Sequence, residues 1–180
     1  MTKLINLVQR RVVNLAIGPS VLRNQGAPDV IEKAREYLAN LDLRRFSNLT
    51  AEAFSQTLEA CTDELMSSFP DGARHWGTAR KALNVFLEEA FYNRFLCEEY
   101  GLHALEACLE IPMDSQVAQG LRRRAARGSL PHWYGITGLS KKARDAFQSY
   151  AQRLAASMGQ ARVYLDLILW RAEDTDEKID

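Results

Sequence analysis

The stretch from Thr78 to about Tyr100 constrains the fold more than any other part of the chain. Leu83, Phe86, Leu87, Ala90, Phe91 and Phe95 recur at three- and four-residue steps, the spacing of one face of an α-helix. The apolar face they form is wider than a single stripe. A helix with so broad an apolar surface must be covered from more than one side. It is therefore expected to sit at the centre, with other helices around it.

The rest of the chain supplies those helices. Leu4, Leu7, Val8, Val12 and Leu15 predict an amphipathic helix over 3–16, broken by Gly18-Pro19-Ser20. The punctuated stretch Gly18–Pro28 has room for one helical turn at Ser20–Asn24. Its polar group Arg23, Asn24 and Gln25 reads either as pocket lining or as a plain interhelical loop. Pro28 opens a helix over roughly 29–39 with a stripe of Val30, Ile31, Ala34, Tyr37 and Leu38. Thr50 caps a longer helix with Phe54, Leu58, Cys61 and Leu65 on one face, and Phe69–Gly72 is a turn. After the central helix, Gly101 suits a C′ position and Leu102–Leu109 a short helix. Asp114 stands as N-cap to Ser115–Ala126, Ser140 caps Lys141–Met158, and Ala161–Arg171 is a last apolar helix. No strand alternation competes with this pattern. The expected fold class is all-α, with about eight helices in a single domain over 1–172.

Composition narrows the function classes. The 23 basic and 23 acidic residues cancel, but residues 173–180 hold five acids and one lysine. The body is therefore mildly basic, and the acidic tail is expected to fray. The densest positive patch is Arg122, Arg123, Arg124 and Arg127. Cys61, Cys97 and Cys108 are odd in number and form no C-x-x-C pair, which suits reduced thiols and a cytoplasmic location. His75, His103 and His132 are scattered without zinc-type spacing, so neither a metal nor a cofactor is expected. No secretory leader and no apolar run of about 20 residues is present, so no membrane partner is expected either.

Two groups carry chemical suggestion: Lys81 near the start of one helix and Asp114 at the start of another. Alone, the first reads as a solvated helix lysine and the second as a plain cap. Their flanking residues change that. Arg80–Leu87 reads R-K-A-L-N-V-F-L and Ile111–Val117 reads I-P-M-D-S-Q-V. The first resembles the G-R-K-T-A-N-V-V-L stretch of the helix-hairpin-helix DNA glycosylases, whose lysine is the nucleophile of the bifunctional members. The second resembles their P-x-D-[ST]-H-V, which carries the superfamily aspartate. Lys81 and Asp114 fall on those positions, in the family's order. The 32 residues from Ala82 to Met113 that separate them make the spacing nearest to that of the archaeal 8-oxoguanine DNA glycosylase/lyases. The chain departs from the family in reading Trp76-Gly77-Thr78-Ala79 where the hairpin has G-[VI]-G, and in having Gln116 for the histidine. It also lacks a cysteine cluster for the iron–sulfur centre of some members.

The resemblance implies two helical lobes flanking a cleft, and a base-excision enzyme acting on duplex DNA with a flipped damaged or modified base, an oxidised purine such as 8-oxoguanine being favoured. Lys81 would attack C1′ and form a Schiff base, giving lyase activity, while Asp114 stabilises the cationic sugar. Gly77, Thr78, Ala79 and Arg80 at the hairpin, with Ser115, Arg122, Arg123 and Arg124, would contact DNA. Gln25, Trp76 and Trp133 are the candidates for the base pocket. A monomer is expected. Two other readings stay open: a DNA-binding module without catalysis on the same scaffold, and an all-α protein-interaction domain. Salt-dependent duplex binding without strand cleavage would mark the first, and neither activity the second.

Overall fold

A computed structural model describes residues 3–22 and 25–171. The acidic tail and the pair Arg23 and Asn24 lie outside the described residues. Among those described there are nine α-helices and no strand, so the chain is all-α as expected. The helices are α1 (Lys3–Ala16), α2 (Pro19–Leu22), α3 (Val30–Asn40), α4 (Ala51–Ser68), α5 (Trp76–Tyr92), α6 (Arg94–Tyr100), α7 (Ser115–Arg124), α8 (Lys141–Ser157) and α9 (Leu165–Arg171). Single 3₁₀ turns sit at Leu43–Phe46, Asp71–Ala73, Leu102–Leu105 and Arg162–Tyr164.

The expected central helix is real, but it breaks at Asn93. That residue leaves the helical region at φ −80° and ψ 111°, and its side chain accepts the Leu96 amide at 3.2 Å. An asparagine oxygen competes well for a free backbone N–H, so the chain restarts as α6 in a new direction. Gly101 then ends α6 at φ 63°, the left-handed position that glycine fills without strain. The bend corrects the expected apolar face. Leu83, Phe86, Leu87 and Ala90 are buried, whereas Phe95, now on α6, is 55% exposed. The last helix also differs. Its first turn, Arg162–Tyr164, is 3₁₀ and only Leu165–Arg171 is α.

The apolar interior divides in two. The larger core gathers α1, α3, α4, α5 and α6 around Val13, Leu38, Phe46, Leu65, Leu83 and Phe86. α5 lies against α1, α3, α4 and α6, and this is why its buried face is so broad. A second, smaller core joins α7, α8 and α9 through Val117, Leu121, Phe147, Ala151, Leu165 and Leu169. The chain passes from the first core to the second at Glu110 and Ile111.

Phe86 and Phe95 give a direct test of this division of α5 from α6. Phe86→Ala removes a side chain with no exposed surface and should cost ~3–5 kcal/mol in urea unfolding. Phe95→Ala, on a stripe that looks the same in sequence, should cost less than about 1 kcal/mol.

Candidate active site

The seam between the two cores is polar and buried. Arg80 is 1% exposed, although its side chain is long and charged. Its Nε and Nη2 donate to the two oxygens of Glu110 at 2.9 and 3.1 Å, and its Nη1 donates to Thr62 Oγ1 at 2.8 Å. Glu110 also accepts from Asn84 Nδ2 at 3.0 Å and from Arg144 Nη1 at 2.8 Å. Burial works against the Glu110 anion, but Arg80, Arg144 and Asn84 outweigh it and hold its carboxyl below the usual range. Glu59 extends the cluster to Arg80, Arg144 and Lys141. Gln148 on α8 pairs with both backbone groups of Ile111, its Nε2 donating at 2.7 Å and its Oε1 accepting at 3.2 Å.

This seam sets the position of the residues beside it. Lys81 follows Arg80 directly, and Asp114 follows Glu110 by a short non-helical segment, Ile111–Met113. The Lys81 Nζ stands 3.7 Å from Asp114 Oδ2, and the lysine side chain is only 11% exposed. Asp114 divides its two oxygens between tasks. Its Oδ1 accepts the Val117 amide at 2.9 Å and caps α7, which leaves Oδ2 facing the amine. Lys81 is thus not a solvated lysine, and Asp114 is a cap with a second neighbour.

Both groups open on a cleft of about 270 Å³ between the cores. Leu15, Ser20, Val21, Val85 and Tyr92 come from the first core's helices, and Pro112 and Leu167 from the second side. Four carboxyl groups line it: Glu88, Glu89, Asp114 and Asp166. Burial pushes the Glu88 carboxyl up to about 9, with Asp166 and Glu89 adding repulsion. Burial also raises Asp166 to about 6, helped by Asp114 and opposed by the Lys81 cation. Among the described residues no cluster of His, Cys, Asp and Glu is arranged to hold a metal ion.

Several anticipated site residues lie elsewhere. Gly77, Thr78, Ala79 and Arg80 are buried, which corrects their expected place on a DNA-facing hairpin. The loop before α8 covers Gly77. A Cβ on Gly77 would come within 2.1 Å of the Ile136 carbonyl oxygen, so only glycine permits that approach. Arg80 cannot reach a phosphate, because Glu110 and Thr62 occupy its donors. Trp76 and Trp133 do not line the cleft. Trp76 lies under the cations of Arg80, Lys141 and Arg144 and donates to Glu59 Oε1 at 3.2 Å. Trp133 meets Phe147 edge-on in the second core and donates to Ser115 Oγ at 3.1 Å. Gln25 accepts from Thr78 Oγ1 at 2.8 Å and does not line the cleft. Ser115 is exposed at the start of α7, and Arg122, Arg123 and Arg124 are exposed at its far end. Arg122, Arg123 and Arg127 border a shallow depression there.

Glu88, Glu89, Tyr92 and Asp166 are cleft residues that the motifs do not reach, yet signals for them exist in the sequence. Lys81, Val85, Glu88 and Tyr92 are spaced at i, i+4, i+7 and i+11, so they share one helix face. Asp166 is the one acid in the otherwise apolar run Val163–Trp170.

Comparison of the chain with protein-family models, with curated proteins and with solved structures finds no match. Among the described residues no helix is long and apolar enough to cross a membrane.

The seam can be tested without any assay of function. Glu110→Ala leaves the buried Arg80 and Arg144 with only Glu59 as a shared anion, at the longer distances of 3.4 and 3.5 Å. Unfolding measurements should show a loss of ~3–5 kcal/mol, the cost of stranding a buried charge. A loss below about 1 kcal/mol would mean that water replaces Glu110 with ease.

Proposed function

We propose that the protein is a DNA base-excision glycosylase with lyase activity, and that Lys81 and Asp114 form its reacting pair. The observation that carries this reading is the 3.7 Å approach of Lys81 Nζ to Asp114 Oδ2 inside a cleft between two helical cores. An amine there can attack C1′ of an extruded nucleotide, and the carboxylate beside it offsets the charge that develops on the sugar as the base leaves. Partial burial of both strengthens the electrostatic effect, because less water screens it.

The cleft wall supports a purine with extra N–H donors, such as 8-oxoguanine. A base entering it would meet Leu15, Val85 and Leu167 for apolar contact and a wall rich in carboxyl oxygens. Those oxygens suit ring and exocyclic N–H groups. Duplex binding falls to the exposed part of α7, with Ser115 beside the cleft and Arg122, Arg123 and Arg124 at the other end. The covered segment Gly77–Ala79 favours a second reading, a DNA-binding module without catalysis, since the hairpin amides do not face a phosphate.

Chemical trapping separates the two. Incubation with an 8-oxoguanine duplex and borohydride should give a covalent protein–DNA complex, because borohydride reduces an imine to a stable amine. Lys81→Gln should abolish trapping and strand cleavage, with duplex affinity changing by no more than about twofold, because the remaining phosphate contacts persist. Asp114→Asn keeps most of the cap and should slow excision by ~100-fold or more as the stabilising charge is removed. Normal trapping by Lys81→Gln would assign the chemistry to another amine. Binding without trapping in the parent would select the non-catalytic module.

The role of the arginines is testable through salt. Replacing Arg122, Arg123 and Arg124 together by Ala should weaken binding to all duplexes alike and lower the slope of log K against log salt by about 0.9 for each phosphate no longer neutralised. An unchanged slope would return the three arginines to a solvated helix end.

A further inference from the structure

We propose that residues 173–180 of this chain dock on the arginine-lined depression at the C-terminal end of α7, and that they compete there with duplex DNA. The competition rests on the glycosylase reading, and the docking does not. Both are carried by where α9 ends and by charge.

α9 runs beside α7 in the same sense. At their starts, Asp166 and Leu167 of α9 share the cleft with Asp114, the α7 cap. Further along, Leu169 lies on Gly120, so close that a Cβ there would stand 3.1 Å from Leu169 Cδ2. Gln119, next to that glycine, already lines the depression with Arg122, Arg123 and Arg127. α9 ends at Arg171, two residues past Leu169, so it delivers the chain to the arginine end of α7. The segment from Ala172 to Asp180 can span up to ~30 Å when extended. Gly120 to Arg124 is a rise of only ~6 Å along the helix. Reach does not limit the contact.

Charge selects the occupant. The depression has a volume of about 390 Å³, and no acidic residue lines it. Arg122 and Arg127 form no ion pair among the described residues. The end of a helix carries partial negative charge, but Arg124 answers it by donating to the Gly120 carbonyl at 3.1 Å, so the depression itself stays positive. Glu173, Asp174, Asp176, Glu177 and Asp180 give residues 173–180 five acids against Lys178. A carboxylate takes a guanidinium in the same two-bond geometry as a phosphate does, so these acids and a DNA backbone seek the same donors. Single exposed ion pairs are weak. Tethering places the acids at an effective concentration of roughly millimolar, at which several such pairs together hold the segment.

Docking is read without DNA. A nitroxide is placed on Thr175→Cys in a chain that carries Cys97→Ser and Cys108→Ser, the buried Cys61 being left in place. It should broaden the backbone amide signals from Gln119 to Leu130 at about 20 mM salt, and about 0.5 M salt should restore them, because screening then acts over a few ångström. Replacing the exposed Arg122 and Arg127 by Gln should restore them as well. Broadening that survives either change would mean that the tether alone keeps the segment near, and would overturn the docking. Absence of broadening would overturn it too. So would broadening of an isotope-labelled copy mixed with a nitroxide-bearing one, since the contact would then lie between molecules.

Competition is read on an 8-oxoguanine duplex at about 50 mM salt. Replacing Glu173 and Glu177 by Gln, and Asp174, Asp176 and Asp180 by Asn, should tighten binding about tenfold. In the Arg122→Gln, Arg127→Gln background the same replacements should gain no more than about twofold, because the surface they uncover is gone. Equal gains in the two backgrounds would reduce the effect to net charge and overturn the competition. A protein that shows docking but binds no duplex would remove the glycosylase reading, and the competition with it, while the docked segment stands.

Discussion

The bidentate pair of Arg80 with Glu110 is the contact on which the rest of this molecule depends. It joins α5, the centre of the larger core, to the point where the chain enters the smaller one. Two ions taken out of water carry a desolvation cost of several kcal/mol each, and their attraction offsets it only when every donor and acceptor finds a partner. Here Thr62, Asn84, Arg144 and Glu59 supply most of the set, with Arg144 Nε left unpartnered. The planar guanidinium also fixes direction as well as distance, which a lysine would not do. The seam is therefore a matter of register more than of net stability.

Register matters because Lys81 and Asp114 are attached to the two partners. Arg80 orients the N-terminal half of α5, and Lys81, the next residue, leaves the helix on the adjacent face. Glu110 anchors the segment that carries Pro112 and Asp114 to the start of α7. A shift of one helical step at Arg80 would move the amine out of the cleft. The carboxylate is also constrained from its other end by the cap bond to Val117. Two independent anchors thus hold a charged pair that spans two cores, so its separation is set by the fold as well as by its own attraction.

The helices are legible in the sequence because their information is local. Apolar spacing, Thr50, Asp114 and Ser140 as caps, and Gly101 at a left-handed position all act within a few residues. The break at Asn93 is local too, but its apolar flanks hide it. Motif order singles out Lys81 and Asp114 together, and they stand side by side across the cleft. What the sequence conceals depends on distant partners. Arg80 looks like a phosphate contact because nothing near it in sequence announces Glu110, 30 residues on. Trp76 and Trp133 look like free aromatic faces, while their partners Glu59 and Ser115 come from other helices. Asp166 is hard to see because a lone acid in an apolar helix has meaning only once the facing helix is known.

The division of the interior has a consequence in time. The larger core draws its buried residues from Ile5 to Leu109, with Val163 added late and Ala161 and Tyr164 packed against it. A ribosome delivers the chain from its N-terminus at about 5–20 residues per second, and compact units form as they emerge. The larger core can thus assemble while α7, α8 and α9 are still being made. During that interval Arg80 and Glu110 wait without Arg144 of α8 and stay hydrated at an unfinished edge. The seam, and the cleft beside it, come into being only when the second core docks. The site is the last thing the folding chain makes.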